Sequence, residues 1–181
     1  MNYCDIHEIS FNNRNVGGLF SLVLDGTVCC IHRPPRWMQQ LFYTGKNKIH
    51  RIKYEIGVHP ETGFLVWVGG PVYASMHDFR LMQLAGIFQG LLPGELILAD
   101  KGYIGAWHIV TPFRTPLPGL ESLISTLLSA QRWIVEHVLA RFKFFKILGG
   151  VWRHSLDIHG YVFYVIAEIV NINMHFAPVR A

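Results

Sequence analysis

Leu96-Ile-Leu-Ala99, followed at once by Asp100-Lys-Gly-Tyr103, is the stretch that most restricts how this chain can fold. Four apolar residues in succession, with Gly94 before them and Gly102 after, read as a strand buried on both faces. Asp100 then stands at the mouth of a core strand, where burying a carboxylate is costly unless a cation compensates it. No Arg lies close by on that strand, so Lys101 and a metal ion are the two candidate counter-charges.

The segments around this strand follow an α/β plan. Residues 19–24 and 28–31 are β-type runs separated by the polar Asp25-Gly26-Thr27. Residues 32–48 contain Pro34 and Pro35 and predict an exposed loop, with Arg33, Arg36, Lys46 and Lys48 interleaved with Trp37, Phe42 and Tyr43. Residues 49–58 and 64–72 flank a turn at 59–63, predicting a long hairpin at the sheet edge. Phe79, Leu81, Met82, Leu84 and Ala85 then recur at helical spacing. A breaker-rich loop at 111–119 leads into a long helix, from Leu120 or Ser129 to Leu148, ended by Gly149-Gly150. A last helix covers residues 155–176. Three strands joined by hairpins, then helix-linked strands, predict a mixed sheet flanked by helices.

The chain has 181 residues, 51% of them hydrophobic, enough for one full core and too short for two comfortable ones. Residues 1–18 read as a poorly specified lead-in and residues 19–181 as a single domain. A net charge of +4 suits a polyanionic partner without requiring one. Three cysteines, Cys4, Cys29 and Cys30, argue against a disulfide framework and for a reducing compartment. The first eight residues have neither a basic start nor an apolar stretch, so no secretory signal is expected. The most apolar window, 161–171, is short and carries Glu168, which predicts a core helix and no membrane span.

In the segment 131–143 just over half the positions are apolar, yet Arg132, Glu136 and Lys143 share one helix face. Arg four residues before Glu is the weaker order for a helix ion pair, so helix stability explains that stripe poorly. Asp25 and Asp100 at strand ends, with Glu136 on a mostly apolar helix, would form a pocket of oxygen ligands. Mg²⁺ and similar hard cations prefer such ligands, and two ions about 3.5–4 Å apart support phosphodiester cleavage or transfer.

Four motifs in order, Leu24-Asp25-Gly26-Thr27, Met76-His77-Asp78, Leu98-Ala-Asp100-Lys-Gly-Tyr103 and Arg132-x-x-Val135-Glu136 with Lys143, resemble the DDE superfamily endonuclease domain of PIF/Harbinger-type transposases. The 35 residues between Asp100 and Glu136 fit that family's spacing. The resemblance implies an RNase H-like fold in which Asp25, Asp100 and Glu136 bind Mg²⁺ or Mn²⁺, two ions in all, with Asp78 of the His-Asp motif as a fourth candidate ligand. Arg132 and Lys143 match basic positions of related bacterial insertion-sequence transposases, in which a tyrosine stands where this chain has Ser129. The resemblance further implies DNA as substrate, a separate Myb-like recognition protein and nuclear residence. Family members usually carry a helix-turn-helix region before this domain, so a truncated or domesticated copy is expected.

Simpler roles compete with each residue. Asp25-Gly26 also suits a hairpin turn, Asp78 a helix N-cap, Asp100 a turn beside Gly102, and Glu136 a surface ion pair. Arg33, Arg36, Lys46 and Lys48 fit either a solvated loop or a DNA surface whose cations meet phosphates. The alternative function is a non-catalytic DNA- or partner-binding protein that keeps the fold.

Overall fold

Apolar alternation decides how the first strand sits. In the computed structural model, residues 20–45 and 48–179 are described. The lead-in expected at 1–18, Cys4 and Lys46 lie outside them. Strand β1 (Leu22–Cys30) runs unbroken through Asp25-Gly26-Thr27, so the two runs expected from sequence are one strand and Asp25-Gly26 is no hairpin turn. Pairing with two neighbouring strands overrides the local turn preference.

A 3-10 turn (Arg36–Met38), α1 (Gln39–Phe42) and the short β2 (Tyr43–Thr44) give the expected loop local order. β3 (Ile49–Val58) and β4 (Leu65–Tyr73) form the hairpin. α2 (Asp78–Ala85), β5 (Ile97–Ala99) and β6 (Ile109–Val110) follow, then α3 (Leu120–Gln131), α4 (Trp133–Phe144), α5 (Lys146–Gly149) and α6 (His159–Phe176). The single long helix expected before Gly149 is thus divided at Arg132 and Phe145. The N-cap of α2 is His77, whose Nδ1 accepts from the Phe79 amide at 3.3 Å, one residue before the Asp78 alternative.

β1 pairs antiparallel with β3 and parallel with β5, which pairs parallel with β6. β3 also pairs antiparallel with β4 along most of its length and with β2 at its start. The result is a mixed parallel and antiparallel sheet with flanking helices, as the sequence predicted.

Side-chain parity sorts the core into two layers. Val23, Leu98, Tyr54, Ile56 and Val58 pack with Ile134, Val135, Val138 and Phe142 of α4 and with Phe163, Ala167 and Val170 of α6. Leu22, Leu24, Ile97 and Ala99 point the other way, onto Met82 of α2, Ile87 and Tyr103. Burying each large apolar side chain contributes about 2 kcal/mol, so these contacts hold the helices far more than helix propensity does. Among the described residues no helix is long and apolar enough to cross a membrane.

α6 is tied to the sheet by one polar side chain. Asn171 accepts from the Leu65 amide at 2.8 Å and donates to the Leu65 carbonyl at 3.0 Å, serving both backbone groups at the start of β4. Asn171→Leu leaves those two groups buried without partners. It should lower unfolding free energy by about 2–4 kcal/mol in urea titrations, and an unchanged midpoint would show that the clamp is dispensable.

Candidate active site

The register of β1 on β5 brings two carboxylates together by counting alone. Leu22 lies opposite Ile97, Val23 opposite Leu98 and Leu24 opposite Ala99, so the next positions along the two strands are Asp25 and Asp100. Two residues beyond Val23 and Leu98, both aspartates point toward the α4 side of the sheet.

The cation that compensates them is Arg132, from the junction of α3 and α4. Its Nη2 donates to Asp25 Oδ2 at 3.1 Å and its Nη1 to Asp100 Oδ1 at 3.5 Å. The side chains are unequally covered: 13% exposed for Arg132, 20% for Asp25 and 50% for Asp100, so the Asp25 pair is the stronger. Arg132 Nε is buried without a hydrogen-bond partner among the described residues, so the guanidinium is held through its contacts to the two carboxylates. Its position follows from the helix break. The Arg132 amide bonds to the Ser129 carbonyl at 3.2 Å, tightening the chain there so that α4 starts anew beneath the strand ends.

Glu136 lies on the first turn of α4 and is solvent-exposed. Burial pushes the Asp25 carboxyl above its usual range, Arg132 and the Gly26 amide pull it back, and the charges of Asp100 and Glu136 push it further up. Three acids therefore share one field. Lys143, farther along α4, donates to the Val28 carbonyl at 2.7 Å and lies 3.8 Å from Cys29 Sγ, tying α4 to β1.

Oxygen donors of one charge sign around a half-buried aspartate fit a hard dication. Among the described residues no three Asp, Glu, His or Cys side chains are gathered closely enough to hold a metal as they stand. The donor chemistry fits, and in this conformation the guanidinium lies between two of the donors.

The other sequence-predicted residues are placed elsewhere. Asp78 sits on the opposite face of β1, in an ion pair with Lys53 at 3.1 Å. Arg33, Arg36 and Lys48 are exposed near the start of β3, where Arg33, Gln39, Tyr43, Lys48 and His50 line a shallow pocket. His50 is six residues along β3 from Ile56, the partner of Asp25, which puts this patch roughly 20 Å from the acids.

Sequence reasoning missed Glu55, which is fully buried in β3 opposite Gly26 on one side and Gly69 on the other. Its Oε2 accepts from Trp67 Nε1 at 3.0 Å. The two flanking glycines are the only sequence signal: they leave room on the α2 face for a side chain that would otherwise be crowded out.

An α/β sheet of this order, with acids at adjacent strand ends below a helix bearing a third, is an RNase H-like fold. The family described as DDE superfamily endonuclease matches residues 24–171, and the chain belongs to it. It is also similar to a probable transposase for insertion sequence element IS702 from Microchaete diplosiphon, 32% identical over 162 residues that cover 84% of this chain. The chain spans 57% of that relative's length. No solved structure matches significantly.

Burial raises the Glu55 carboxyl from 4.5 to about 8. The folded protein thus holds this proton where the unfolded chain has released it, and the stability so gained is complete below pH 4.5 and lost as pH rises through about 8. His159, pushed down by burial to about 4, has its own window below its ordinary 6.5. Between pH 6.5 and 8 the wild-type protein should therefore lose about 2 kcal/mol of unfolding free energy that Glu55→Gln retains. Parallel slopes in urea melts of the two proteins would contradict this.

Proposed function

We propose that this protein is a divalent-metal-dependent DNA nuclease of the transposase type, with Asp25, Asp100 and Glu136 as the residues that hold Mg²⁺ or Mn²⁺. The observation that carries this reading is the pair of aspartates at adjacent strand ends, bridged by the single guanidinium of Arg132, with Glu136 on the first turn of the helix that follows that arginine. Family membership supports phosphodiester chemistry, and the insertion-sequence relative supports DNA as the substrate.

When bound, the metal supplies activation of a water or 3′ hydroxyl and neutralises charge on the leaving oxygen. The protein's own groups do the rest. Asp25, the most covered of the acids, anchors the site, while the half-exposed Asp100 and the exposed Glu136 face the open side from which a phosphodiester arrives. Arg132 serves as counter-charge to the two aspartates, and a guanidinium released from them would be placed to meet a DNA phosphate. Arg33, Arg36 and Lys48 extend the phosphate contacts, and Lys46, outside the described residues, is proposed to join them from the same segment of sequence. The 20 Å from that patch to the acids corresponds to about six base pairs. Lys143 holds β1 through the Val28 carbonyl. Asp78 is the least supported ligand, because Lys53 neutralises it on the far face of the strand.

Within the superfamily, the ordered motifs favour a PIF/Harbinger-type enzyme. Arg132 and Lys143 and the insertion-sequence relative favour the bacterial line. A Myb-like DNA-recognition partner and nuclear residence belong to the first assignment.

A second reading, a DNA- or partner-binding protein that has given up catalysis, draws on the lack of three gathered donors. One set of measurements separates the two. The wild-type protein should nick supercoiled DNA with Mg²⁺ or Mn²⁺ and be silent with a chelator, and Asp100→Asn should slow nicking at least about 100-fold. Arg132→Gln should bind Mn²⁺ about tenfold more tightly by calorimetry, because the competing cation is gone. DNA binding without any metal binding would favour the second reading.

A further inference from the structure

On the α2 face of the sheet, directly behind the two aspartates, lies a second polar cluster that the chemistry above does not use. Tyr103 is 1% exposed, packed among Leu22, Leu24, Met82 and Ala99. Its amide donates to the Asp100 carbonyl at 3.0 Å, closing the turn that carries that aspartate. Its hydroxyl reaches the neighbouring strand, lying 3.3 Å from where a Cβ on Gly26 would be. Tyr103 thus touches the backbone beside both aspartates at once.

Two further groups complete the cluster. The Tyr103 hydroxyl and Glu55 Oε1 are both buried with no partner in hydrogen-bond geometry among the described residues, yet they are close enough to act on each other's ionisation. Asp78, paired with Lys53, reaches within 3.1 Å of the Cβ position at Gly26 and 2.8 Å of that at Gly102. Any side chain at either glycine would push into this packing. Asp100 itself is half exposed, and among the described residues its side chain has one polar contact, the 3.5 Å approach of Arg132. Its position is therefore set mainly from behind, by the turn.

We propose that Tyr103 is a positioning residue that fixes the separation of Asp25 and Asp100, and that Glu55, buried opposite Gly26, holds it there. This rests on the nuclease reading only for its consequence, the geometry offered to a dication. The wedge is a property of the fold. Glu55 opposite Gly26 and Tyr103 beside Asp100 close on each other across β1 and the 100–103 turn. Burial favours the neutral form of Glu55 here and the nearby Asp78 adds to it, while the Trp67 donor and Lys53 offset part of the effect. Trp67 Nε1 engages Oε2, so Oε1 is the carboxyl oxygen left to turn toward the tyrosine hydroxyl.

The experiment compares Tyr103→Phe, Glu55→Gln, Glu55→Leu and the double variant Glu55→Leu/Tyr103→Phe by two readouts. One is Mn²⁺ affinity by calorimetry, the other hydrogen exchange at the residue-103 amide without metal. Tyr103→Phe should weaken Mn²⁺ binding about tenfold and speed exchange at that amide by a similar factor, with β1 amides unchanged. Glu55→Gln, which keeps a neutral hydrogen-bonding group, should stay within about threefold of wild type, and the double variant should be no worse than Glu55→Leu alone. A Tyr103→Phe protein with wild-type Mn²⁺ affinity overturns the proposal, as does Glu55→Gln impaired as far as Glu55→Leu. A wild-type protein that binds no Mn²⁺ refutes the nuclease reading instead. Exchange at the 103 amide then decides the positioning role by itself, and unaltered exchange in Tyr103→Phe rejects it.

Discussion

Two carboxylates on neighbouring strands repel, and a parallel register of two buried strand segments holds their backbones side by side. At about 5 Å and an effective dielectric near 20 the repulsion is about 3 kcal/mol. Leu22 to Leu24 and Ile97 to Ala99 are fully buried, so the strands cannot slide to relieve it without exposing their apolar residues. The opposing charge has to be brought to the aspartates. Arg132 does so, and the division of the long helix at that residue places its side chain over the strand ends. Register, helix break and ion pair are one arrangement seen from three sides.

The sheet separates two kinds of polar environment that meet only through its backbone. On the α4 face lie groups that reach solvent, Asp100 and Glu136, and on the α2 face a closed set, Glu55, Trp67 and Tyr103. Gly26 and the 100–103 turn are where the two faces communicate. Asp25 and Asp100 are each followed within two residues by a glycine whose missing side chain is occupied by Asp78 from behind. The Asp-Gly and Asp-Lys-Gly spacing thus has a packing reason beside any catalytic one.

Much of this was legible in the sequence because it is local. The apolar run before Asp100 and the hairpin of β3 and β4 follow from periodicity, and the ordered motifs pointed to the superfamily that residues 24–171 match. Other features depend on partners far away in the chain. Asp25-Gly26 looks like a turn until β3 and β5 pair on either side of it. Helical periodicity through residues 120–148 hides the break at Arg132, whose own dihedrals remain helical. Glu55 reads as the polar member of an alternating strand, and only Gly26 and Gly69 across the sheet reveal that its pocket is closed.

The register of β1 on β5 also dictates where this chain can change length over evolutionary time. Loops between the two strands can gain or lose residues without moving either aspartate relative to the other. One residue inserted within Leu22–Asp25 or Ile97–Asp100 would turn a carboxylate to the opposite face of the sheet, among the apolar side chains around Met82. Such a change would preserve every residue type in the motif and still dismantle the site. In relatives of this protein, the four residues that end in each aspartate should therefore be free of gaps even where the identities of the first three drift.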